Sequence, residues 1–303
     1  MGYRMAGFHE LLAIDWEDHA VECFRKNFPE VPVWQKSILD VSGKEIMAFC
    51  KLDSGDLDVF DGSPPCQGFS TAGSRKLNDP RNDLFLAYFK LIDEIQPKVF
   101  VMENVSGMVK GEMKGKFIQI LEKLRSTNYI VTCKLMNSMF YGVPQSRQRL
   151  IFIGVRKDLG LQPVFPSPSK KIITAGEAIG DLPNGIAGMG VYGQTLWGRC
   201  AMGKQLSSVH PKGHWFNSMK LHPGKTAPTV TKVVMPSGGG GLFHWKVARV
   251  LTILELKRVC SFPDDWYLGD DFKKAWARLG NAVMPKMMEA IALTIKKEML
   301  GVY

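Results

Sequence analysis

Pro64-Pro65-Cys66-Gln67 is the first place in the chain where chemistry is concentrated, because two prolines fix the backbone immediately before a thiol. A thiol held in this way is a candidate nucleophile where a neighbouring cation or helix end favours its thiolate. Two further segments carry groups that could serve it. Glu103-Asn104-Val105 offers a carboxyl group, and Gln145-Ser146-Arg147-Gln148-Arg149 offers two guanidiniums. A nucleophile, a carboxyl group for proton work and a cation together make a set for covalent catalysis. Taken singly, each has a plainer reading, a small buried hydrophobe for a cysteine and a structural salt bridge for Arg147. Cys23, Cys50, Cys133, Cys200 and Cys260 keep that plainer reading, since no C-x-x-C pair links them and reduced thiols are expected.

A second chemistry is written in charge. The 303 residues hold 39 Lys plus Arg against 29 Asp plus Glu, a net charge of +10, which favours polyanionic partners. Between Arg199 and Ala248 there are seven Lys or Arg and no Asp or Glu, so most of the excess sits in one window. Trp215, Phe216, Phe243 and Trp245 interleave with it, beside the run Gly238-Gly239-Gly240-Gly241. Such a segment suits a groove that tracks phosphates; a solvated basic face with ordinary core aromatics is the alternative. Cys200, His210, His214 and His222 also permit a zinc reading, but one cysteine with scattered histidines on a basic loop is usually structural or phosphate-facing, and no metal is expected.

The elements that must position these groups follow from periodicity. From residue 8 to about 155, short apolar runs alternate with helical segments, the pattern of a mostly parallel sheet with helices on its faces. Leu11 to Ile14 predicts a strand ending in Asp15, Glu17 to Phe28 a helix stopped by Pro29, and Leu57 to Phe60 a strand running into the Cys66 segment. Arg81 to Ile95 predicts a helix, and Lys98 to Met102 a strand that delivers Glu103 to the same sheet edge, where open α/β sheets place ligands. Residues 129 to 136 and 149 to 155 predict further strands with some antiparallel pairing. After Arg156 the sequence turns Pro-, Gly- and Ser-rich, which predicts a less regular second domain, with helical period returning from Thr252 to Ser261 and from Pro285 to Leu300. With 45% hydrophobic and 22% charged residues the chain is not disordered, and with no long apolar run or signal pattern a cytoplasmic, nucleoid-associated protein is expected rather than a membrane one.

Taken in order, Pro65-Cys66-Gln67-Gly68-Phe69-Ser70, Glu103-Asn104-Val105, Gln145-x-Arg147-x-Arg149, Arg249-x-Leu251-Thr252 with Phe262-Pro263-Asp264, and Gly280-Asn281-Ala282-Val283 closely resemble the successive motifs of cytosine-C5 DNA methyltransferases. The resemblance spans nearly the whole chain and is weakest between about 160 and 245. It implies a doubly wound, Rossmann-like α/β catalytic domain that uses S-adenosylmethionine, built from residues 1–160 and 246–303, with a smaller irregular target-recognition domain at 161–245. It implies methyl transfer to C5 of a flipped-out cytosine in a specific double-stranded DNA sequence, within a restriction-modification setting. Cys66 matches the nucleophile that adds to C6, Glu103 the carboxyl at N3 and the exocyclic amine, Arg149 the arginine that reaches O2, and Arg147 a support for the carboxyl and base pocket.

For the cofactor, the resemblance implies Asp15 on the ribose, Trp16 on the adenine, Ser37 where the family often has an acid, Pro65, Leu84 as an apolar wall, and Asn281 near the methionine end. Gln67, Ser70 and Arg81, in a loop that closes over the flipped base, and Lys225 and Thr229, in the segment Lys225 to Thr231, are implied to contact DNA. The family's first motif, a strand and glycine turn about 20 residues before the ribose acid, would fall before Met1. The sequence is then truncated or late-started, or a separate chain supplies the piece, as in one half of a split methyltransferase; a catalytically impaired DNA-binding relative is the competing reading.

Overall fold

The computed structural model describes residues 1–64, 81–105, 127–215, 217–235 and 240–301, with the backbone alone at 81 and 82. The chain divides into two compact units. One contains residues 1–136, 148–167 and 289–303, the other 137–147 and 168–288.

In the first unit, helices α1 (Gly2–Met5), α2 (Asp18–Asn27), α3 (Gly43–Cys50) and α4 (Arg81–Ile95) accompany strands β1 (Ala13–Asp15), β2 (Val33–Gln35), β3 (Val59–Gly62), β4 (Val99–Val105), β5 (Tyr129–Asn137) and β7 (Gln148–Arg156). β4 is the central strand. Its residues Val99 to Met102 are 0% exposed, which is why its sequence is apolar without alternation. β3 pairs with it in parallel from Val59↔Val99 to Gly62↔Met102, and β7 pairs antiparallel from Val99↔Val155 to Val105↔Arg149. The order is β3-β4-β7-β5, so the expected antiparallel component is present.

Helix α4 serves two cores because its apolar residues fall on two stripes. Phe85, Tyr88, Phe89 and Ile92, spaced to share one helix face, pack with Phe100, Met102, Tyr129 and Phe152. Leu91 and Ile95 join Val41 and Ile46 in a second cluster, against which Leu12, Ile14, Trp34, Leu57 and Phe60 pack. The residues of β1 and β3 thus border one core. Yet among the described residues β1 pairs only with β2 and β3 only with β4, so the expected single sheet is divided into a pair and a four-stranded sheet. Both strands are only half-buried apart from exposed Asp61, whereas β4 is sealed.

The second unit holds β6 (Gln145–Ser146), β8 (Ser218–Lys220), β9 (Ala227–Pro228) and β10 (Gly241–Phe243), with helices α5 (Ala175–Ile179), α6 (Val191–Arg199), α7 (Ile253–Val259) and α8 (Phe272–Asn281). In α9 (Pro285–Glu298) the chain passes from the second unit to the first. The division differs from boundaries at 160 and 245. Residues 246–288 stay with the second unit because their groups are bonded there. The Gln145 amide donates to Cys260 Sγ (3.2 Å), Arg147 to the Gly280 carbonyl (2.8 Å), and the Trp276 indole to the Thr231 carbonyl (2.9 Å).

In the first sheet Phe100 packs over Gly154, its cross-strand partner, where an added Cβ would come within 2.0 Å of the ring. Gly154→Ala is therefore expected to destabilise the chain by at least about 1–3 kcal/mol in urea unfolding. Phe100→Leu in the same chain should recover part of the loss. An unrescued or absent loss would contradict this packing.

Candidate active site

The carboxyl ends of the parallel strands gather the ionisable groups. β1 ends at Asp15, β3 carries Asp61 next to its last residue, and β4 carries Glu103 two residues from its end. Glu103 forms an ion pair with Arg149, Nε to Oε1, and the two side chains are only 12% and 14% exposed. The ladder explains the contact. Glu103 lies opposite Ile151 and Arg149 opposite Val105, so the two are diagonal neighbours on one sheet face. Arg149 Nη1 also donates to the Gln148 carbonyl at 2.8 Å, which fixes its rotamer.

Asn104, buried beside Glu103, accepts the Val105 amide on Oδ1 (2.8 Å), and its Nδ2 reaches the Pro64 carbonyl at 3.5 Å, a long hydrogen bond. It ties the end of β4 to the last described residue before the thiol segment. Gly62 is needed just upstream, because a Cβ there would lie 2.4 Å from the Tyr88 ring, whose hydroxyl donates to Val101 O (2.8 Å) and lies 3.3 Å from Phe60 O. Pro65, Cys66, Gln67 and Ser70 lie outside the described residues, as does the side chain of Arg81.

The other cysteines are free thiols, and burial pushes Cys23 up to about 11, Cys260 up to about 12, and Cys50 and Cys200 above the ordinary thiol value. Thiols so placed are poor nucleophiles. Cys200 Sγ faces the carbonyls of Ala201, Lys204 and Gln205 at 3.4–3.6 Å, and among the described residues no group of three His, Cys, Asp or Glu could hold a metal ion.

Arg147 differs from expectation. Its guanidinium is 1% exposed and donates to the carbonyls of Val230 (3.1 Å) and Gly280 (2.8 Å), so it braces the second unit's own backbone. A guanidinium spends its planar fork where two carbonyls converge, and here they come from the two motif segments around 230 and 280. Gly280 is required for this approach, since a Cβ would meet the Thr231 carbonyl at 2.6 Å.

Of the cofactor candidates, Asp15 accepts the Glu17 amide on Oδ1 (2.9 Å), and Ser37, two residues past β2, caps the turn Ile38–Asp40 through Leu39 N (3.2 Å). Trp16 is 70% exposed, a large apolar area open at the sheet's carboxyl edge, where an adenine ring could cover it. Leu84 is half-buried in the first turn of α4. These residues fit an adenosine. Asn281, the last residue of α8 in the second unit, is exposed.

In the basic window Lys204, Lys212, Lys225, Lys232 and Lys246 are exposed, as is Thr229, whose hydroxyl donates to Ser146 O at 2.9 Å. Lys220 is not on this face. It is 6% exposed, lies 3.7 Å over the Trp197 ring and donates to the Trp197 and Cys200 carbonyls at 3.0 Å each, and burial lowers its affinity for a proton.

The site residues thus lie in an α/β unit with acids at its strand ends and in a second unit with a basic face. The model of the C-5 cytosine-specific DNA methylases matches residues 1–297. The type II methyltransferase M1.HphI of Haemophilus parahaemolyticus is 34% identical over 98% of this chain and 83% of its own, and M.DdeI of Desulfomicrobium norvegicum is 30% identical over 96% and 84%. Among solved structures, an E. coli prophage protein described as a DNA modification methyltransferase superposes with a TM-score of 0.77 at 24% identity, covering 99% of this chain and 95% of its own. The chain belongs to the C-5 cytosine-specific DNA methylases. It is a DNA (cytosine-5) methyltransferase that uses S-adenosylmethionine.

Asp61 and Tyr3 form a pair at the same strand ends that the motifs did not mark; for Asp61 the signal was an acid at the end of an apolar strand, repeated at Asp15 and Glu103. The Asp61 carboxyl is pushed up to about 6, first by desolvation, with the Tyr3 hydroxyl opposing through its bond to Oδ1 (3.0 Å) and the Glu103 charge adding. Its own surface is exposed at the sheet rim, so the energetic scale is small. Since the folded state holds this proton more tightly than the ordinary 3.8, the group's contribution to stability is full below that pH and lost as pH rises through about 6. Asp61→Asn is expected to gain melting temperature relative to the unaltered chain across that window and to level off above it. A difference independent of pH would contradict the assignment.

Proposed function

We propose that Cys66 adds to C6 of a cytosine turned out of the duplex, with Glu103 at N3 and the exocyclic amine and Arg149 at O2. The observation that supports this most is the half-buried Glu103–Arg149 pair at the end of β4, next to the Asn104 contact on the residue that leads to Pro65-Cys66. As the thiolate forms the S–C6 bond, the C5=C6 pair shifts to C4–C5 and the C4=N3 pair to N3, which takes the proton of the Glu103 carboxyl group, and the carboxylate so formed accepts hydrogen bonds from N3–H and the N4 amine. Arg149 keeps that carboxylate oriented while its remaining donors face O2. When bound, S-adenosylmethionine supplies the electrophilic methyl group for C5, and Asp15, Trp16, Ser37, Pro65, Leu84 and Asn281 are the residues proposed to hold it. Loss of the C5 proton to water, return of the N3 proton to Glu103 and expulsion of the thiolate then restore the aromatic ring. Arg147 acts as a positioning residue for the second unit.

Gln67, Ser70, Arg81, Lys225, Thr229 and the exposed lysines of the basic window are proposed to contact a double-stranded DNA target. The protein's place is the cytoplasm, on nucleoid DNA. A further parallel strand between β1 and β3, carried by a separate chain, is proposed to complete the cofactor half, since among the described residues those two strands border one core and each is paired on one edge only.

A duplex containing 5-fluorocytosine at the target should trap Cys66 covalently, and Cys66→Ala should abolish both the trap and methyl transfer. Glu103→Gln should leave DNA affinity in place and slow transfer by about 100- to 10,000-fold. Turnover by either variant at the unaltered rate would remove that residue from the mechanism. Neutralising Lys204, Lys212 and Lys225 together should weaken binding to all sequences and flatten the log–log salt slope by about 0.9 for each phosphate no longer neutralised. Lys220→Met, at a buried position, should leave the slope unchanged. An unaltered slope in the triple variant would place the DNA elsewhere.

A further inference from the structure

One cluster in the second unit is used by none of these steps. Tyr192, His210, His214 and Trp215 form a ring assembly at the start of α6 and in the loop after it. His210 stacks on His214 (centroids 5.2 Å, 15°) and lies nearly parallel to Trp215 (6.3 Å, 22°), while Tyr192 meets His210 and Trp215 edge-on at 5.9 and 6.0 Å. The assembly is a surface feature. Tyr192 is 53% exposed, His214 is exposed, and the neighbouring Val191 and Ile186 are almost fully so. Trp215 holds φ at +69°, a left-handed conformation that costs a bulky residue energy and is found where placement of the side chain matters.

The His210 ring is fixed by its hydrogen bonds. Its Nδ1 accepts two backbone N–H groups, from Lys212 and His214, each at 3.2 Å, so Nδ1 carries no proton and the ring's N–H is on Nε2, on the side away from the turn. The loop therefore holds a rotationally fixed ring, with Nε2 as its remaining donor, among exposed lysines. Lysines are suited to phosphates, which carry no sequence information. A directional donor on a fixed ring is suited to a base edge.

We propose that His210 reads a guanine in the target duplex, its Nε2–H donating to the N7/O6 acceptor edge, with His214, Trp215 and Tyr192 as the stack that fixes the ring. The proposal rests on the reading of the Arg199 to Ala248 window as the DNA face. Guanine is the base whose major-groove edge presents two adjacent acceptors, which best suits a single donor with some freedom of approach.

The test is selection of bound duplexes from a randomised pool by the full chain, followed by affinities on the selected site. His210→Asn is the informative variant, because Asn Oδ1 can accept the same i+2 amide and keep the turn while the ring and its Nε2–H are removed. The unaltered chain should prefer guanine at one position by about tenfold, and His210→Asn should reduce that preference to about twofold or less, with other positions and the salt slope unchanged. Replacing that guanine by 7-deazaguanine should weaken the unaltered chain by a similar factor and the variant hardly at all. Retention of every base preference by His210→Asn would overturn the proposal. So would a uniform weakening with a shallower salt slope, which would put the ring on phosphate. If instead the lysine variants leave the slope unaltered, it is the DNA-face reading that fails, and the base preferences of His210→Asn still decide the role of the ring.

Discussion

The ion pair between Glu103 and Arg149 is the interaction on which the catalytic half depends. It joins two strands that meet only because β7 returns antiparallel beside β4, and it lies on the sheet face at the end where β3 delivers the chain to Cys66. Two charges partly withdrawn from water are tolerated as a pair, whereas removing one partner leaves the other uncompensated. The pair thus couples register to chemistry. A slip of one residue in the β4–β7 ladder would turn one partner to the opposite face.

The Gln145-to-Arg149 segment divides its residues between the two units. Gln145 donates to Cys260 and accepts the Val230 amide, and Arg147 binds two carbonyls of the second unit, while Arg149 belongs to the first. One short motif therefore fixes the internal framework of the second unit and the carboxylate of the first. The cofactor half is built differently. Among the described residues β4 has a strand on each side, but β1 and β3 have one each, so their outer amides and carbonyls are the part of the sheet least determined by this chain's own pairing.

Much of this was legible in the sequence because it depends on local signals. The uninterrupted apolar run before Glu103 marked a central strand, the alternation of strands and helices marked the α/β unit, and the motif order carried the family. Acid depletion marked the basic face. What was not legible depends on contacts distant in sequence. Arg147 and Arg149 have the same side chain two positions apart, and only the fold separates a brace from a group beside the carboxylate. Lys220 reads as one more cation in a basic run, and only packing against Trp197 shows it to be internal. Boundaries at 160 and 245 followed composition, whereas the units follow hydrogen bonds from 145–147 to 230, 260 and 280. The division of the sheet among the described residues also lies beyond local signals, and is visible only as two strands that share a core without pairing.

The most direct measurement is transfer of a labelled methyl group from S-adenosylmethionine to duplex DNA by the full chain, alone and with a strand-and-glycine-turn segment supplied as a separate chain, with the product digested to nucleosides. The account predicts that all label is recovered as 5-methylcytosine and that the added segment raises the yield. Label on an exocyclic amine, as N4-methylcytosine or N6-methyladenine, would contradict the assignment of Glu103 and Arg149 to a C6-addition site, and absence of label in both arrangements would contradict the enzymatic account as a whole.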